Sequence, residues 1–318
     1  MEYRRIGNCG AKVSVIGFGN WLTVGGTVNE KTGNSLIDTA FDNGINFFDT
    51  ADVYSEGKAE KSFGKGLSKF RRHDLFIASK CYWPLSDRPN DRGLSRKHIF
   101  ESVHNSLKNL RTGHIDLYQC HRYDSETTVE ETCRAFNTLI EQGKILYWGV
   151  SEWTKKQISE AVKVCEKNNL YKPVSDQPQY NLLVPDIETN GVMDYCESQG
   201  IGLVVWSPMA QGVLTGKYNT DKKDKSSRLM DNKSNSFVKK FSTDENLAKV
   251  AKLIKIADEM NTTASNLALA WCLRKKIVSS VITSATKVSQ LKENVKASGL
   301  ELPADVMKII EEIFKIKK

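Results

Sequence analysis

The chain has 318 residues, 46 Lys+Arg against 38 Asp+Glu and a formal net charge of +8, long enough for one large barrel or two ordinary domains. The positive balance admits a polyanionic partner, but the densest basic stretch, residues 215–240, carries no zinc-finger, RNP or homeodomain pattern, which argues against nucleic acid and for a phosphate-bearing small molecule. No apolar run approaches the ~18–20 residues of a membrane span and no charged start leads into an apolar stretch, so neither membrane insertion nor secretion is predicted and the expected compartment is cytoplasmic.

Short apolar runs alternate along the chain with stretches of helical period. Residues 3–6 and 13–16, separated by the turn GNCG, predict a hairpin closing a barrel floor, unless its second arm runs straight into the first barrel strand, VSVIGFG (13–19). A helix over 31–43, the strand INFFDTA (45–51) and a helix over 59–69 follow, and the charged run from Glu56 to Glu60 reads as the cap of that helix. Next come LFIASK (75–80), a helix over 95–110, IDLYQCH (115–121), a helix over 129–142, YWGVSE (147–152) and a helix over 155–168. VSDQPQY (174–180), a helix over 187–199 and GLVVWSP (202–208) lead into a long connection over 209–242. The chain then predicts a barrel helix over 245–260, an extra helix over 263–274, the strand VSSVITS (278–284), a helix over 288–297 and a last extra helix over 303–315. Ser95, Thr128 with Glu131, and Thr154 with Gln157 supply capping side chains, while Gly44, Gly143 and Gly200 stand where helix C-terminal glycines belong.

Strand then helix, eight times, predicts a single (β/α)8 TIM barrel over residues 1–318, with an N-terminal β-hairpin, a long loop after strand 7 and extra C-terminal helices. A two-domain dinucleotide-binding fold would need GxGxxG after a strand, and GFGN at 17–20 lacks the third glycine and the following helix.

Barrel enzymes place their chemistry at the C-terminal ends of the strands. There Asp49 closes the second strand, Tyr54 follows on its loop, Lys80 closes the third and His121 closes the fourth. Alternation sends Cys81 and Cys120 away from this ring, toward the helices. These residue types suit carbonyl reduction. A hydride arriving at a carbonyl carbon leaves charge on oxygen, to be met by a proton from Tyr54 and a hydrogen bond from a neutral His121. Lys80 would pull the Tyr54 pKa down from ~10, and Asp49 would keep Lys80 charged and oriented. Singly, each residue is more often structural: an Asp caps a turn, a Tyr anchors a loop, a Lys snorkels. Jointly, at the ends of consecutive strands, they favour function. The seven cysteines are scattered and without a CxxC pair, which suits reduced thiols in packing roles. The other histidines, His73, His98, His104 and His114, have no metal spacing, and no metal is expected.

The segments NFFDTADVYSEGKAE, SK at 79–80, RGLSRKHI, LRTGHIDLYQCH, QGKILYWGVSEW, VWSPMAQGVLTGKY and SQLKEN together resemble the aldo-keto reductase superfamily over essentially the whole chain. Within it they are most similar to the subgroup containing the β subunits of voltage-gated potassium channels and their bacterial and plant relatives. The resemblance implies Asp49, Tyr54, Lys80 and His121 as a catalytic tetrad and NADPH, rather than NADH, as hydride donor. It implies Ser151 and Gln177 on the nicotinamide carboxamide and Trp206 against the ring. It further implies Ser207, Pro208, Met209, Ala210, Gln211, Gly212 and Lys217 near the pyrophosphate, Thr286, Gln290, Glu293 and Asn294 near the adenosine, and Arg228 toward the 2′-phosphate. Trp21, Tyr82, Trp83 and Tyr123 would line an aromatic mouth or pack its rim. Some positions depart from the pattern. Glu152 stands where the channel subgroup has arginine and receives no cofactor role, and Ser284 and Gln290 replace a basic pair that grips the 2′-phosphate elsewhere, with Lys287 and Arg228 as compensating cations. His121 stands where channel subunits have asparagine. The implied function is NADPH-dependent reduction of aldehydes, with ketones, sugars and toxic carbonyls as further substrates. The alternative is a channel β subunit using bound cofactor as a redox sensor, and the subgroup carries a homo-oligomer as an option.

Overall fold

A computed structural model describes residues 1–219, Leu229 and residues 235–316. β1 (Tyr3–Arg5) and β2 (Lys12–Ser14) form an antiparallel hairpin, with Arg4 opposite Val13. A single residue later the chain enters β3 (Ile16–Gly19), so the second hairpin arm does run on into the first barrel strand. The succession continues as α1 (Glu30–Asp42), β4 (Phe47–Asp49), α2 (Lys58–Leu67), β5 (Phe76–Cys81), α3 (Arg96–Leu110), β6 (Ile115–Cys120), α4 (Val129–Glu141), β7 (Ile145–Val150) and α5 (Lys155–Lys167). Then come β8 (Ser175–Asp176), α6 (Val192–Gln199), β9 (Gly202–Val205), α7 (Asn235–Lys239), α8 (Asp244–Glu259), α9 (Ala264–Leu273), β10 (Val278–Thr283), α10 (Val288–Val295) and α11 (Ala304–Phe314). Eight parallel strands, β3 to β10, close into a barrel in which β10 pairs with β3. This is the (β/α)8 TIM barrel with its N-terminal hairpin.

Helix ends follow local chemistry. Ser95, Thr128 and Thr154 each accept a backbone N–H of the first turn, and Gln157 returns the bond to Thr154 as a capping box. Gly44 (φ 82°) and Gly200 (φ 67°) end α1 and α6 in the left-handed region that a side chain would strain.

Period-two alternation decides what enters the barrel. Phe47, Phe76, Ala78, Leu117 and Val204 point inward and form a lower core, which Ile6 and Val13 of the hairpin plug from below. Each large side chain buried there contributes roughly 1.5–3 kcal/mol. Their neighbours Phe48, Ile77, Cys81, Tyr118 and Cys120 face the helices and join the outer core. One step up the same inward rows stand Asp49 above Phe47, Lys80 above Ala78 and Gln119 above Leu117.

Two expectations are corrected. The helix that packs on β10 is α9, and α8 packs on α9 and α11 instead. The residues of α9, ASNLALAWCL, are buried on nearly every side, which a helix sandwiched between barrel and outer helix requires. The second correction concerns Glu60. Gly57, without a side chain, precedes α2, and Glu60 is fully buried rather than capping. It accepts hydrogen bonds from Ser79 at 2.6 Å and Asn109 at 3.0 Å. Among the described residues no helix is long and apolar enough to cross a membrane, and no cluster of His, Cys, Asp and Glu is arranged to hold a metal ion. All seven cysteines are free thiols, six of them buried.

Candidate active site

At the upper rim of the inward rows, Asp49, 3 % exposed, joins two elements. Its Oδ1 accepts a hydrogen bond from Lys80 Nζ at 2.7 Å and its Oδ2 one from Gln177 Nε2 at 2.9 Å. Lys80 has no exposed surface, and it also donates to the Thr50 carbonyl at 2.7 Å. Tyr54 is carried in by the loop after β4, where Ser55, Glu56 and Gly57 turn the chain with consecutive positive φ values of 49°, 55° and 79°. Its ring lies 5.1 Å from Lys80 Nζ and 5.6 Å from the His121 ring, edge to face. Each pair is within interaction distance, so β4, its loop, β5 and the end of β6 deliver four polar groups to one point.

Charge states follow from this packing. Burial works against the Lys80 charge, but Asp49 and then Tyr54 outweigh it, and the Lys80 pKa is raised. Burial likewise raises the Tyr54 phenol, and the pull of Lys80 in the opposite direction does not overcome it. Lys80 draws the phenol down as expected, but burial outweighs it, so the net shift is upward and Tyr54 keeps its proton at neutral pH. Burial first, then the charges of Lys80 and Arg122, hold His121 well below the usual histidine range, so its ring is neutral, with Nδ1 buried and without a hydrogen-bond partner among the described residues.

These groups form one end of a cavity of about 980 Å³. Ser151 donates to the Gln177 carbonyl at 2.8 Å, beside the Gln177 amide already bonded to Asp49. Trp206 is set by Glu152, whose Oε1 accepts the indole N–H at 2.8 Å and the Gln179 N–H at 2.5 Å. Beyond Trp206 the backbone is forced into the left-handed region at Ser207, Ala210, Gln211 and Gly212, a concentration of strain found at ligand-binding segments. The cavity then meets the first turn of α10, where Gln290 Oε1 accepts the N–H groups of Thr286 and Lys287 at 3.0 and 3.1 Å.

Most of the expected site residues line this one cavity: Asp49, Tyr54, His121, Ser151, Gln177, Trp206, Ser207, Pro208, Met209, Gln211, Gly212, Lys217, Thr286, Gln290, Glu293, Asn294, Trp21 and Trp83. Lys80 acts from behind Asp49. Ala210 is fully buried and off the cavity wall. Tyr82 packs on Trp83 and Tyr123 on Trp153, so these two belong to the rim and not to the lining. Arg228 lies outside the described residues. Three features escaped the sequence reading. Arg122 enters the lining directly after His121, Phe237 closes on Trp21 with ring centroids 4.9 Å apart, and Glu152 holds Trp206. A cation adjacent to His121 at a strand end was a readable signal for the first. The other two are non-local contacts.

Comparison with known proteins agrees with this geometry. A family model described as "Aldo/keto reductase family" matches residues 15–315. The chain is 42 % identical over 299 residues to a probable voltage-gated potassium channel subunit beta of Arabidopsis thaliana, covering 93 % of this chain and 91 % of that one. It is 39 % identical over 315 residues to a probable voltage-gated potassium channel subunit beta of Oryza sativa subsp. japonica, covering 98 % and 95 %. A putative voltage-gated potassium channel subunit beta of Schizosaccharomyces pombe (strain 972 / ATCC 24843) is 41 % identical over 323 residues, covering 98 % and 93 %.

Proposed function

The chain belongs to the aldo/keto reductase family, and on that premise we propose that it reduces aldehydes to alcohols with NADPH. The observation that carries this reading is the linked set Asp49–Lys80–Tyr54 with neutral His121 beside it, at one end of a cavity large enough for a cofactor and a small substrate. When bound, NADPH supplies a hydride to the carbonyl carbon. The chain's own residues do the rest. Tyr54 gives its proton to the carbonyl oxygen as the C–O bond order falls, which balances RCHO, one hydride and one proton to RCH2OH. The phenolate so formed faces the Lys80 ammonium, and that charge stabilises it until a proton returns. Asp49 holds Lys80 protonated and aimed, and the neutral His121 N–H fixes the substrate oxygen.

The residues fit the cofactor. Ser151 spends its proton on the Gln177 main-chain carbonyl and keeps lone pairs, and Gln177 gives one side-chain amide hydrogen to Asp49 and keeps its side-chain oxygen and second amide hydrogen, acceptors and a donor suited to a carboxamide. Trp206 offers a flat face held in place by Glu152. Lys217 and Lys287 line the cavity and suit phosphate groups, and Lys287 makes no ion pair among the described residues. That cation supports NADPH over NADH despite Ser284 and Gln290. Cofactor consumption with 4-nitrobenzaldehyde tests the reading. The wild type turns over, Tyr54→Phe falls by ~100-fold or more, and equal rates overturn Tyr54 as the proton donor.

A second reading, a channel β subunit sensing redox state through bound cofactor, is favoured by the names of the three relatives. Co-purification with a membrane channel, together with no turnover on any aldehyde, would select it.

A further inference from the structure

One cation of the cavity has no task in the chemistry above. Arg122 Nη1 donates to the His121 carbonyl at 2.5 Å and lies 3.5 Å from Ser151 Oγ, and the guanidinium sits 5.9 Å from the Trp83 ring centroid. This tether fixes one amino group. Nε and Nη2 make no hydrogen bond among the described residues, and no carboxylate there pairs with the guanidinium. The acids of the cavity are committed elsewhere: Asp49 to Lys80, Glu293 to Lys296 and Asn266. Glu152, one residue past Ser151, is spent on Trp206 and Gln179. A half-buried guanidinium with its Nε–Nη2 edge unspent presents two parallel donors, the arrangement that takes a carboxylate in bidentate fashion. Its charge reaches the reacting end, since both Tyr54 and His121 feel it.

We propose that Arg122 anchors an anionic group of the substrate, so that the protein selects aldehydes bearing a carboxylate over neutral aldehydes of the same shape. The proposal rests on the reductase reading and names its substrate class. The Trp83 face beside Arg122 covers the guanidinium on one side and would sandwich an aryl or alkyl spacer between carboxylate and carbonyl.

The test compares 4-carboxybenzaldehyde with methyl 4-formylbenzoate, its neutral ester, as substrates of the holoenzyme. The ester is the more electron-poor aldehyde, so intrinsic reactivity works against the expected result. Wild type is expected to favour the acid in kcat/KM by about tenfold, the worth of a charge-assisted hydrogen bond, carried mainly by KM. Arg122→Gln removes the preference and Arg122→Lys keeps part of it, and both ratios are internally corrected for any general loss of activity. A ratio unchanged in Arg122→Gln overturns the proposal. So does a change only in NADPH affinity, which would assign the guanidinium to the cofactor. Turnover of the ester without preference for the acid defeats this inference and leaves the reductase reading standing. If neither aldehyde is turned over, the reductase reading fails, and calorimetric titration with 4-carboxybenzyl alcohol decides the anchor: equal affinity for wild type and Arg122→Gln refutes it, and an approximately tenfold loss in the variant upholds it.

Discussion

Asp52→Asn is expected to stabilise the protein at neutral and alkaline pH, because burial makes the ionised carboxylate costly there. Asp52 is 3 % exposed. It accepts hydrogen bonds from the Val53 N–H at 2.7 Å and from Ser102 at 2.6 Å, and Tyr118 donates to Ser102 in turn. Glu60 and Lys80 face it with opposite charges, and the Cys81 thiol lies nearby. Burial dominates and, with Glu60 adding to it, raises the Asp52 pKa to about 7. An aspartate in the unfolded chain titrates near ~3.9. Between about pH 4 and 7 the unfolded chain therefore releases a proton that the folded protein keeps, so stability falls through that window and levels off above it. At about 1.4 kcal/mol per pH unit the whole window amounts to roughly 4 kcal/mol. Asparagine mimics the neutral acid, keeps an oxygen for Val53 and escapes this loss. The advantage of Asp52→Asn over wild type should thus grow by about 2 kcal/mol between pH 5.5 and 8. Urea unfolding followed by circular dichroism at the two pH values measures it. Parallel stability of the two proteins at both pH values would refute a raised Asp52 pKa.

Other expectations follow from the same site. Because burial raises Tyr54 and lowers His121, kcat/KM for reduction should be level between pH 6 and 9 and decline only above pH ~10; a break inside that range that disappears in Tyr54→Phe contradicts the assignment. Lys80→Met strands the buried Asp49 carboxylate and should cost about 3–5 kcal/mol, read as a lowered melting temperature that the double variant with Asp49→Asn partly restores. Glu152→Ala releases the Trp206 indole and should weaken NADPH binding by about tenfold in a fluorescence titration, with Glu152→Gln weaker in effect; unchanged affinity would mean that packing alone holds Trp206.

Much of this arrangement was legible because it rests on local period. LFIASK and IDLYQCH alternate so plainly that Lys80 and His121 follow Ala78 and Gln119 to the inside, and Cys81 and Cys120 to the outside, without any tertiary knowledge. β8 was harder. Only Ser175 and Asp176 pair as a strand, Pro178 lacks an N–H for the ladder, and contact with the next strand resumes through a bridge from Gln179 to Trp206. The exchange of roles between α8 and α9 was written in composition, since ASNLALAWCL has no polar face to turn to water, but amphipathic period gave the more regular helix precedence. Glu60 read as part of a helix cap and Asp52 drew no reading, because the groups that make their burial tolerable, Ser102, Asn109 and Ser79, arrive from distant parts of the chain. The sign of the Tyr54 shift is likewise a balance of burial against Lys80, and no spacing of residues encodes it.

The central claim is that the carbonyl carbon receives the hydride while Tyr54 supplies the proton. NADPH deuterated at the transferred position of C4, incubated with 4-nitrobenzaldehyde and followed by mass spectrometry of the alcohol, tests it most directly. One deuterium on the carbinol carbon per cofactor oxidised, with alcohol formation lost in Tyr54→Phe, is the predicted result. Cofactor oxidation without labelled alcohol, or undiminished labelling by Tyr54→Phe, would contradict it.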